Sequence, residues 1–351
     1  MNKQTRQPAE SPGRQRVTLR DIAGELKISH VTVSKALRDL PGVSDSLKAR
    51  IRAKADEMGY VPDPLLSALS NYRKTDQAGT FHSALAWLNP WNRPEELHAH
   101  REFELYREGA ENSAHRLGYQ LENFNLADIP ARRLQTILKT RNIQGILLPP
   151  THGSNDWIHA FDWSGFSVVR FGQAVAAPRT HRVSSAQAEN TILAFDRARQ
   201  LGYQRIGFVC EYWRTRYFGT GFTWAQKQLP PEQQLPLLAL NPEDDFPAQQ
   251  RDVKQWIQQY RPDAILTDNS ETHQMLINLN YRIPDDMGLA TTSIHDTSID
   301  AGIDQRPYEI GRAAIRMLTA LIAEKSRGIP ECRNETLIEG RWVDGSMLPP
   351  K

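Results

Sequence analysis

Residues 17–37 carry two short amphipathic helical patterns joined by a tight turn, and this arrangement limits the possible fold more than any other feature of the chain. In the first pattern, over Leu19–Leu26, apolar residues recur at i, i+3, i+4 and i+7. Thr18 and Asp21 resemble a capping box at its start, and Ser29 can cap a second helix that is predicted to end near residue 38. Two short helices with so tight a connection are typical of a helix-turn-helix DNA reader.

The second helix has an outward face that core packing does not explain. Val33, Ala36 and Leu37 share the face that should pack against the first helix. Three other side chains are left pointing outward: His30, Val31 and Lys35. An exposed valine suits the thymine methyl in a major groove, a lysine can donate to guanine O6 and N7, and a histidine can donate or accept. We interpret these three as base-reading residues.

Short hydroxyl side chains accompany the proposed readers. Ser29, Thr32 and Ser34 suit phosphate oxygens, which set the register on DNA without reading its sequence. A third helix, capped by Ser44, is predicted to run through residue 58. Its outer face carries four basic residues: Lys48, Arg50, Arg52 and Lys54. Those charges fit either a solvated helix face or a surface that contacts the DNA backbone.

Charge separates this N-terminal module from the rest of the chain. Residues 1–74 hold 14 Lys and Arg against 8 Asp and Glu, a net charge of +6, whereas the remaining 277 residues of the 351 carry −4. A basic module on a mildly acidic body indicates a polyanion partner at one end only.

The composition predicts a cytoplasmic protein without a cofactor or a metal site. Cys210 and Cys332 are the only cysteines, which suits a reducing compartment, and the histidines lack metal-ligand spacing. No apolar run approaches the ~18–20 residues of a membrane span. Residues 1–16 lack the apolar stretch of a signal peptide, so we interpret them as a disordered basic arm.

The N-terminal residues resemble the LacI-type transcriptional regulators. The resemblance rests on Thr18-Leu-Arg-Asp-Ile-Ala, on Ile28-Ser with Thr32-Val-Ser, and on Gly59-Tyr-Val-Pro62. It is strong over residues 17–70 and weaker over the body. It implies that His30, Val31 and Lys35 read bases, and that the DNA backbone is held by Thr18, Ser29, Thr32 and Ser34.

The resemblance also implies a hinge helix and linker over residues 63–79, after a DNA-binding domain over 17–62. Asp63 and Pro64 suit the start of a helix, but the segment is too short to be stable alone. In the family such a helix folds only on DNA, and the position of Leu69 matches a leucine that wedges into the minor groove. Leu69 could instead be an ordinary packing residue of a linker. Asp63 and Pro64 depart from the family's usual residues, and a carboxylate repels phosphate.

From about residue 80 the pattern becomes α/β. Short apolar strands are predicted at 85–88, 145–148, 168–171, 206–210, 264–267 and 288–291. Helices are predicted at 103–117, 131–139, 186–201, 253–259, 272–279 and 308–323. Leu117-Gly-Tyr119 and Leu201-Gly-Tyr203 echo each other and should each end the first helix of a half. The fold class is therefore α/β: a helical N-terminal domain followed by a periplasmic-binding-protein-like body of two doubly wound parallel-sheet subdomains.

The resemblance implies three chain crossings between the two halves, which we place near 181–184, 303–306 and 328–332. The effector-binding and dimerisation domain then spans 80–351. Its N-subdomain comprises about 80–183 and 304–329, and its C-subdomain about 184–303 and 330–351.

Loops that follow strands supply the candidate ligand residues, because ligands of such sheets bind at the carboxyl ends of the strands. The candidates for effector binding are Asn89, Trp91, Trp213, Arg214, Arg216, Asp268, Asn269 and Ser293. Aromatic rings beside Arg, Asp and Asn suit a sugar. Each alone could equally be a structural residue, and Arg214 and Arg216 compete for the position that grips the ligand.

Together these features favour a homodimeric, effector-controlled transcriptional regulator, a repressor that binds double-stranded DNA at a pseudo-palindromic operator. A dimer and not a tetramer is expected, because the C-terminal residues have no leucine heptads that could form a coiled-coil tetramerisation tail. The alternatives are a non-regulatory sugar-binding protein of the same body fold, and an enzyme. No phosphate-binding, metalloprotease or nucleophile-elbow motif is present, so we expect no catalytic residues.

Replacing Leu69 with alanine should reduce operator bending and specific affinity, because the wedge would no longer unstack the central base step. The helix-turn-helix should still fold. A gel-phasing assay measures the bend, and unchanged bending would rule the wedge out.

Overall fold

The structure is a computed structural model that describes residues 17–37, 42–60, 83–150, 157–173 and 178–351. It divides into two units, Met1–Thr80 and Phe81–Lys351. None of the helices in these described ranges is long and apolar enough to cross a membrane.

Three helices lie within the described residues of the N-terminal unit: α1 (Leu19–Leu26), α2 (His30–Leu37) and α3 (Asp45–Glu57). The predicted capping box at the start of α1 is confirmed: the Asp21 carboxylate accepts from the Thr18 N–H at 2.7 Å, and the Thr18 hydroxyl accepts from the Asp21 N–H at 3.4 Å. Lys27 ends α1 in the left-handed conformation, which turns the chain sharply into α2. Ser44 precedes α3 as predicted, but its side chain makes no capping hydrogen bond.

The part of the body that the structure describes forms two sheets of six strands each. Sheet A consists of β1 (Ser83–Asn89), β2 (Tyr119–Asn125), β3 (Gly145–Leu148), β4 (Ser167–Phe171), β5 (His181–Ser185) and β11 (Glu335–Ile338). Sheet B consists of β6 (Ile206–Glu211), β7 (Leu238–Leu240), β8 (Ala264–Thr267), β9 (Gly288–Thr291), β10 (Gly302–Asp304) and β12 (Arg341–Val343).

Nine α-helices lie within the described part of the body. They are α4 (Pro94–Ala99), α5 (Arg101–Arg116), α6 (Ala131–Thr140), α7 (Trp157–Ala160), α8 (Gln187–Gln200), α9 (Thr220–Gln226), α10 (Phe246–Tyr260), α11 (Thr272–Asn278) and α12 (Pro307–Glu324). Two glycines, Gly118 and Gly202, have positive φ just after α5 and α8, so the repeated Leu-Gly-Tyr sequence ends both helices as predicted.

The strand orders are 2-1-3-4-5-11 and 7-6-8-9-10-12, so both halves are doubly wound. All pairings are parallel except that of β10 with β12. Each sheet has a buried apolar cluster on both faces. The predicted fold class is therefore confirmed.

The chain crosses between the halves after β5, between β10 and α12, and between β11 and β12. The first crossing follows Ser185, because β5 pairs with β4 over residues 181–183 and with β11 as far as Ser185, all within sheet A. The third crossing lies later than the predicted 328–332, because residues 335–338 pair with β5 in sheet A before the chain leaves it. The boundary near 330 therefore moves to about 339, just before Arg341 begins β12.

The six predicted strands are confirmed, but polar strands were missed. β2 is an edge strand with alternating polar residues, and β5 is polar in sequence although every residue in it is buried. The predicted helix at 253–259 is part of the longer α10, which begins at Phe246 because Asp245 accepts from the Ala248 N–H at 2.8 Å.

Candidate functional site

The outer face of α2 is the candidate DNA-contacting surface. His30, Val31 and Lys35 are exposed, whereas Val33 and Ala36 are buried against the other two helices. Val31 is 50% exposed, so its methyl groups are accessible to a partner. The structure thus presents the three predicted readers together on one face.

Three of the four residues predicted to hold the DNA backbone lie at the starts of the first two helices, and Ser34 lies in the middle of α2. The Ser29 hydroxyl caps α2 by accepting from the Thr32 N–H at 3.0 Å, and it lies 2.8 Å from the Thr32 hydroxyl. Thr18 takes part in the capping box of α1, and Ser34 is half-buried. Phosphate oxygens are suited to the amides and hydroxyls at helix N-termini. Leu69, the predicted wedge, lies outside the described residues.

A cavity of about 120 Å³ lies in the cleft between the two halves of the body. Sheet A and its helix α5 contribute residues to it, and so do the loops that follow β6, β8 and β9 of sheet B. Four of the predicted effector residues line it: Trp213, Arg214, Asp268 and Ser293. Choosing candidates from the loops that follow strands therefore identified several of the residues that sheet B contributes to the cavity lining.

Four side-chain oxygens in the lining of this cavity are buried without a hydrogen-bond partner among the described residues. They belong to Gln173, Gln187, Asp268 and Thr292. A buried polar atom without a partner costs free energy, so such atoms gathered around one space indicate a ligand that satisfies them. The two glutamine oxygens and the carboxylate oxygen accept hydrogen bonds, and the Thr292 hydroxyl can accept or donate, so the cavity favours a molecule with several hydroxyl or amide donors.

Asp268 is the most perturbed acid in the cavity. Its side chain is 1% exposed, and burial raises the pKa of its carboxyl to about 7, while Arg214 opposes that rise. Its Oδ1 accepts from the Glu211 N–H at 3.1 Å. The Arg214 guanidinium lies 3.8 Å from Oδ2 and stacks 4.6 Å over the ring of Trp213.

Glu102 faces the cavity from the opposite half. Its carboxylate accepts from the Tyr106 hydroxyl at 2.7 Å and from the Ser293 hydroxyl at 3.1 Å. The latter bond joins sheet A's helix α5 to the loop after β9 in sheet B. The Asp296 carboxylate makes a second cross-cleft contact, because it accepts from the N–H groups of Arg101 and Glu102 at 2.6 and 3.1 Å. Asp296 thus caps α5 from the other half of the body.

The remaining predicted effector residues lie elsewhere. Arg216 lines a second, larger cavity beside the first. Asn89, Trp91 and Asn269 line neither of these two cavities. Asn89 is buried, donates to the Pro94 carbonyl and accepts from the Trp91 N–H, and Asn269 accepts from the Glu271 N–H. These are structural hydrogen bonds that shape the loops after β1 and β8, and the roles of the three residues as ligands remain predictions.

Sequence reasoning missed lining residues that do not follow a strand of sheet B. They include Glu102, Phe103, Tyr106, Gln173, Ser184, Ser185 and Gln187. Gln305, which follows β10 of sheet B, was missed as well. Ser184 and Ser185 were missed because they end a strand whose sequence has no apolar pattern. The residues of α5 were missed because they lie near the start of a helix and not in a loop after a strand. The periodicity of α5 could show which face is buried, but not that its first turn borders a cleft.

Two sequence models match the chain. Residues 18–63 match that of bacterial regulatory proteins, lacI family, and residues 195–345 match that of a periplasmic binding protein-like domain. The HTH-type transcriptional regulator GntR of Escherichia coli strain K12 is 38% identical over 58 residues, which are 16% of this chain and 18% of that protein. GntR of Pseudomonas aeruginosa is 38% identical over 56 residues, 16% of each chain. The chain thus matches less than a fifth of the length of these curated relatives.

Solved structures resemble the chain over most of its length. The transcriptional regulator CelR in complex with cellobiose has a TM-score of 0.58 at 16% identity, covering 95% of this chain and 100% of that one. The lac repressor dimer bound to operator and the anti-inducer ONPF has a TM-score of 0.52 at 14% identity, with coverages of 95% and 100%. A LacI family regulator from Enterococcus faecium with bound ribose has a TM-score of 0.52 at 15% identity, covering 77% and 100%. At these identities the likeness shows a shared fold.

Replacing Asp268 with asparagine should stabilise the body at alkaline pH. Because the folded-state pKa of Asp268 is raised, its contribution to stability is complete below the ordinary carboxyl pKa and is lost as pH rises through about 7. The variant should gain up to about 4 kcal/mol at pH 8 relative to the parent, and the difference should shrink toward pH 4. Thermal unfolding at both pH values measures this. The exposed Asp252→Asn is the control, and a gain that is equal at both pH values would contradict the account.

Proposed function

Because the chain belongs to the LacI family of bacterial regulatory proteins, we propose that it is a sequence-specific DNA-binding repressor controlled by a small molecule in the cleft of its body. The family is one of regulatory proteins and not of enzymes. The observation that carries the DNA-binding part is the exposed face of α2, where an apolar side chain, Val31, lies between two polar ones that can reach base edges.

The proposed DNA contact divides into two kinds. His30, Val31 and Lys35 read bases, while Thr18, Ser29, Thr32 and Ser34 hold the phosphate backbone. Phosphate contacts release counterions, so operator affinity should fall steeply as salt rises. We propose that the protein acts as a homodimer, so that two recognition helices meet a pseudo-palindromic operator.

The proposed effector site is the cleft cavity lined by both halves. Its unsatisfied oxygens call for hydroxyl donors, and its aromatic and guanidinium groups suit a sugar ring. Support also comes from the fold relatives with cellobiose and ribose. A ligand that binds differently to the open and closed arrangements of the halves shifts the population between them. In the family such a shift orders or melts the hinge helix, and residues 63–79 are proposed for that role.

The alternative, a sugar-binding protein of the same body fold without regulation, gives no reason for the exposed reader face on α2. It predicts ligand binding with no selective DNA binding at all. Selection from a random duplex pool separates the two functions, because only the regulator would recover a motif.

Replacing Lys35 with alanine should relax specificity at one base pair in each half-site, by roughly 1–3 kcal/mol. Selection of duplexes from a random pool, followed by sequencing, measures this. Lys54→Ala removes the same charge from α3 and should leave the motif unchanged. If the Lys35 variant returns the parent motif, the reading role of Lys35 is wrong.

Replacing Trp213 with alanine should weaken effector binding by about tenfold and leave operator affinity intact, because the ring stacks on the ligand and lies far from the reading helix in sequence. The ligand is the saccharide that gives the largest thermal shift in a screen of mono- and oligosaccharides. Trp224→Ala, which removes an exposed tryptophan on α9, is the control. Equal ligand affinity by calorimetry would contradict the role of Trp213.

A further inference from the structure

A second cavity beside the effector site is lined mainly by arginines. Its volume is about 780 Å³. Five of its lining residues are cationic: Arg170, Arg179, Arg182, Arg216 and Arg333. No Asp or Glu stands among its described lining residues. A concave surface of one charge sign concentrates ligands of the opposite sign.

Two of these arginines are built into sheet A. Arg170 on β4 and Arg182 on β5 are direct partners in the strand register, so both side chains lie on the same face of the sheet. They are only 3% and 6% exposed. Burial, together with the charges of Arg182 and Arg333, lowers the pKa of Arg170 to about 10, so it remains charged at neutral pH. Placing two like charges side by side in a buried sheet costs free energy, which a bound anion would offset.

Arg182 has an ion-pair partner on the neighbouring strand. Glu335 on β11 forms an ion pair with Arg182 and accepts from the Gln173 amide at 3.2 Å. The Nε of Arg182 is also buried with no hydrogen-bond partner within the described ranges of the chain.

The two cavities adjoin. Gln173 and Trp213 line both of them. We call the cleft cavity with the four unsatisfied oxygens the oxygen-lined cavity, and the second one the arginine cavity. The far wall of the arginine cavity carries aromatic rings, and the Arg216 guanidinium stacks 4.6 Å over the ring of Tyr217. One ligand can therefore place its hydrogen-bond donors in the oxygen-lined cavity and a negatively charged group in the arginine cavity.

We propose that the effector is an anionic sugar derivative, whose hydroxyls bind in the oxygen-lined cavity and whose phosphate or carboxylate binds among the arginines. The inference rests on the proposed function in that it takes the cleft as the effector site. Guanidinium groups donate paired, charge-assisted N–H hydrogen bonds to either anion, and these are stronger than the hydrogen bonds that they donate to the uncharged hydroxyls of a neutral sugar. The arginine cavity thus sets the charge of the effector, and the oxygen-lined cavity sets its hydroxyl pattern.

The test is calorimetry on the full chain with glucose 6-phosphate, gluconate, inorganic phosphate and neutral glucose, at constant ionic strength. At least one anion should bind roughly tenfold more tightly than glucose. The phosphate and carboxylate arms distinguish the two anionic groups. Binding of glucose with equal affinity, or of no anion at millimolar concentration, would overturn the proposal.

The variant Arg179→Gln with Arg333→Gln tests the site without disturbing buried side chains, since Arg179 is exposed and Arg333 half-buried. It should weaken anion binding roughly tenfold and change glucose binding little. Arg132→Gln with Arg133→Gln removes two exposed arginines from α6 as the matched control. If both double variants lose the same anion affinity, the loss reflects the net charge of the protein and not the cavity, and the proposed anion site is contradicted.

Failure of this proposal is distinguishable from failure of the proposed function. A neutral sugar that changes operator affinity, with no anion binding, would leave the regulator intact and reject the anionic effector. The opposite outcome has two parts. If the cavity variant loses anion binding, the anion site is supported. If the parent protein then selects no DNA motif, the regulatory function is rejected.

Discussion

The cap that Asp296 places on helix α5 is the contact on which the arrangement of the cleft depends. The N-terminus of a helix has unsatisfied N–H groups and a partial positive charge, and here the carboxylate that satisfies them comes from the opposite half of the body. The bonds exist only while the halves are close. They hold Glu102 where it can accept from Ser293 across the cleft. The position of the candidate effector site is thus tied to the separation of the two sheets.

The groups left unsatisfied in the cleft explain how a ligand could control this separation. Oδ2 of Asp268 and the glutamine and threonine oxygens around it are buried without a hydrogen-bond partner among the described residues. The adjoining cavity gathers five arginines and has no Asp or Glu in its described lining. A ligand that supplies hydrogen-bond donors and a negative charge favours the arrangement in which the halves surround it. The ligand can shift the equilibrium between the open and closed arrangements only by as much as its binding free energies to the two arrangements differ.

Local patterns predicted much of this molecule. The capping box at Thr18 and the apolar stripe after it specify α1, and the central strands read as short apolar runs because both of their faces are buried. Edge and crossing strands such as β2 and β5 have no such signal, so they and the third crossing could not be placed. The search of loops after strands picked out candidate residues that line the cleft cavity, such as Trp213 and Asp268, and their role as ligand contacts remains a prediction. Glu102 and Arg182 were missed, since only the tertiary fold brings a helix terminus and a mid-strand arginine to the cleft.

The central claim is that occupancy of the cleft and affinity for DNA are linked. The most direct measurement is the binding isotherm of the selected operator, by fluorescence anisotropy, with the cleft empty and with it saturated by the ligand that calorimetry identifies. The account predicts that saturation changes operator affinity by a factor of roughly 5–150. Identical isotherms, with calorimetry showing the cleft occupied, would contradict it.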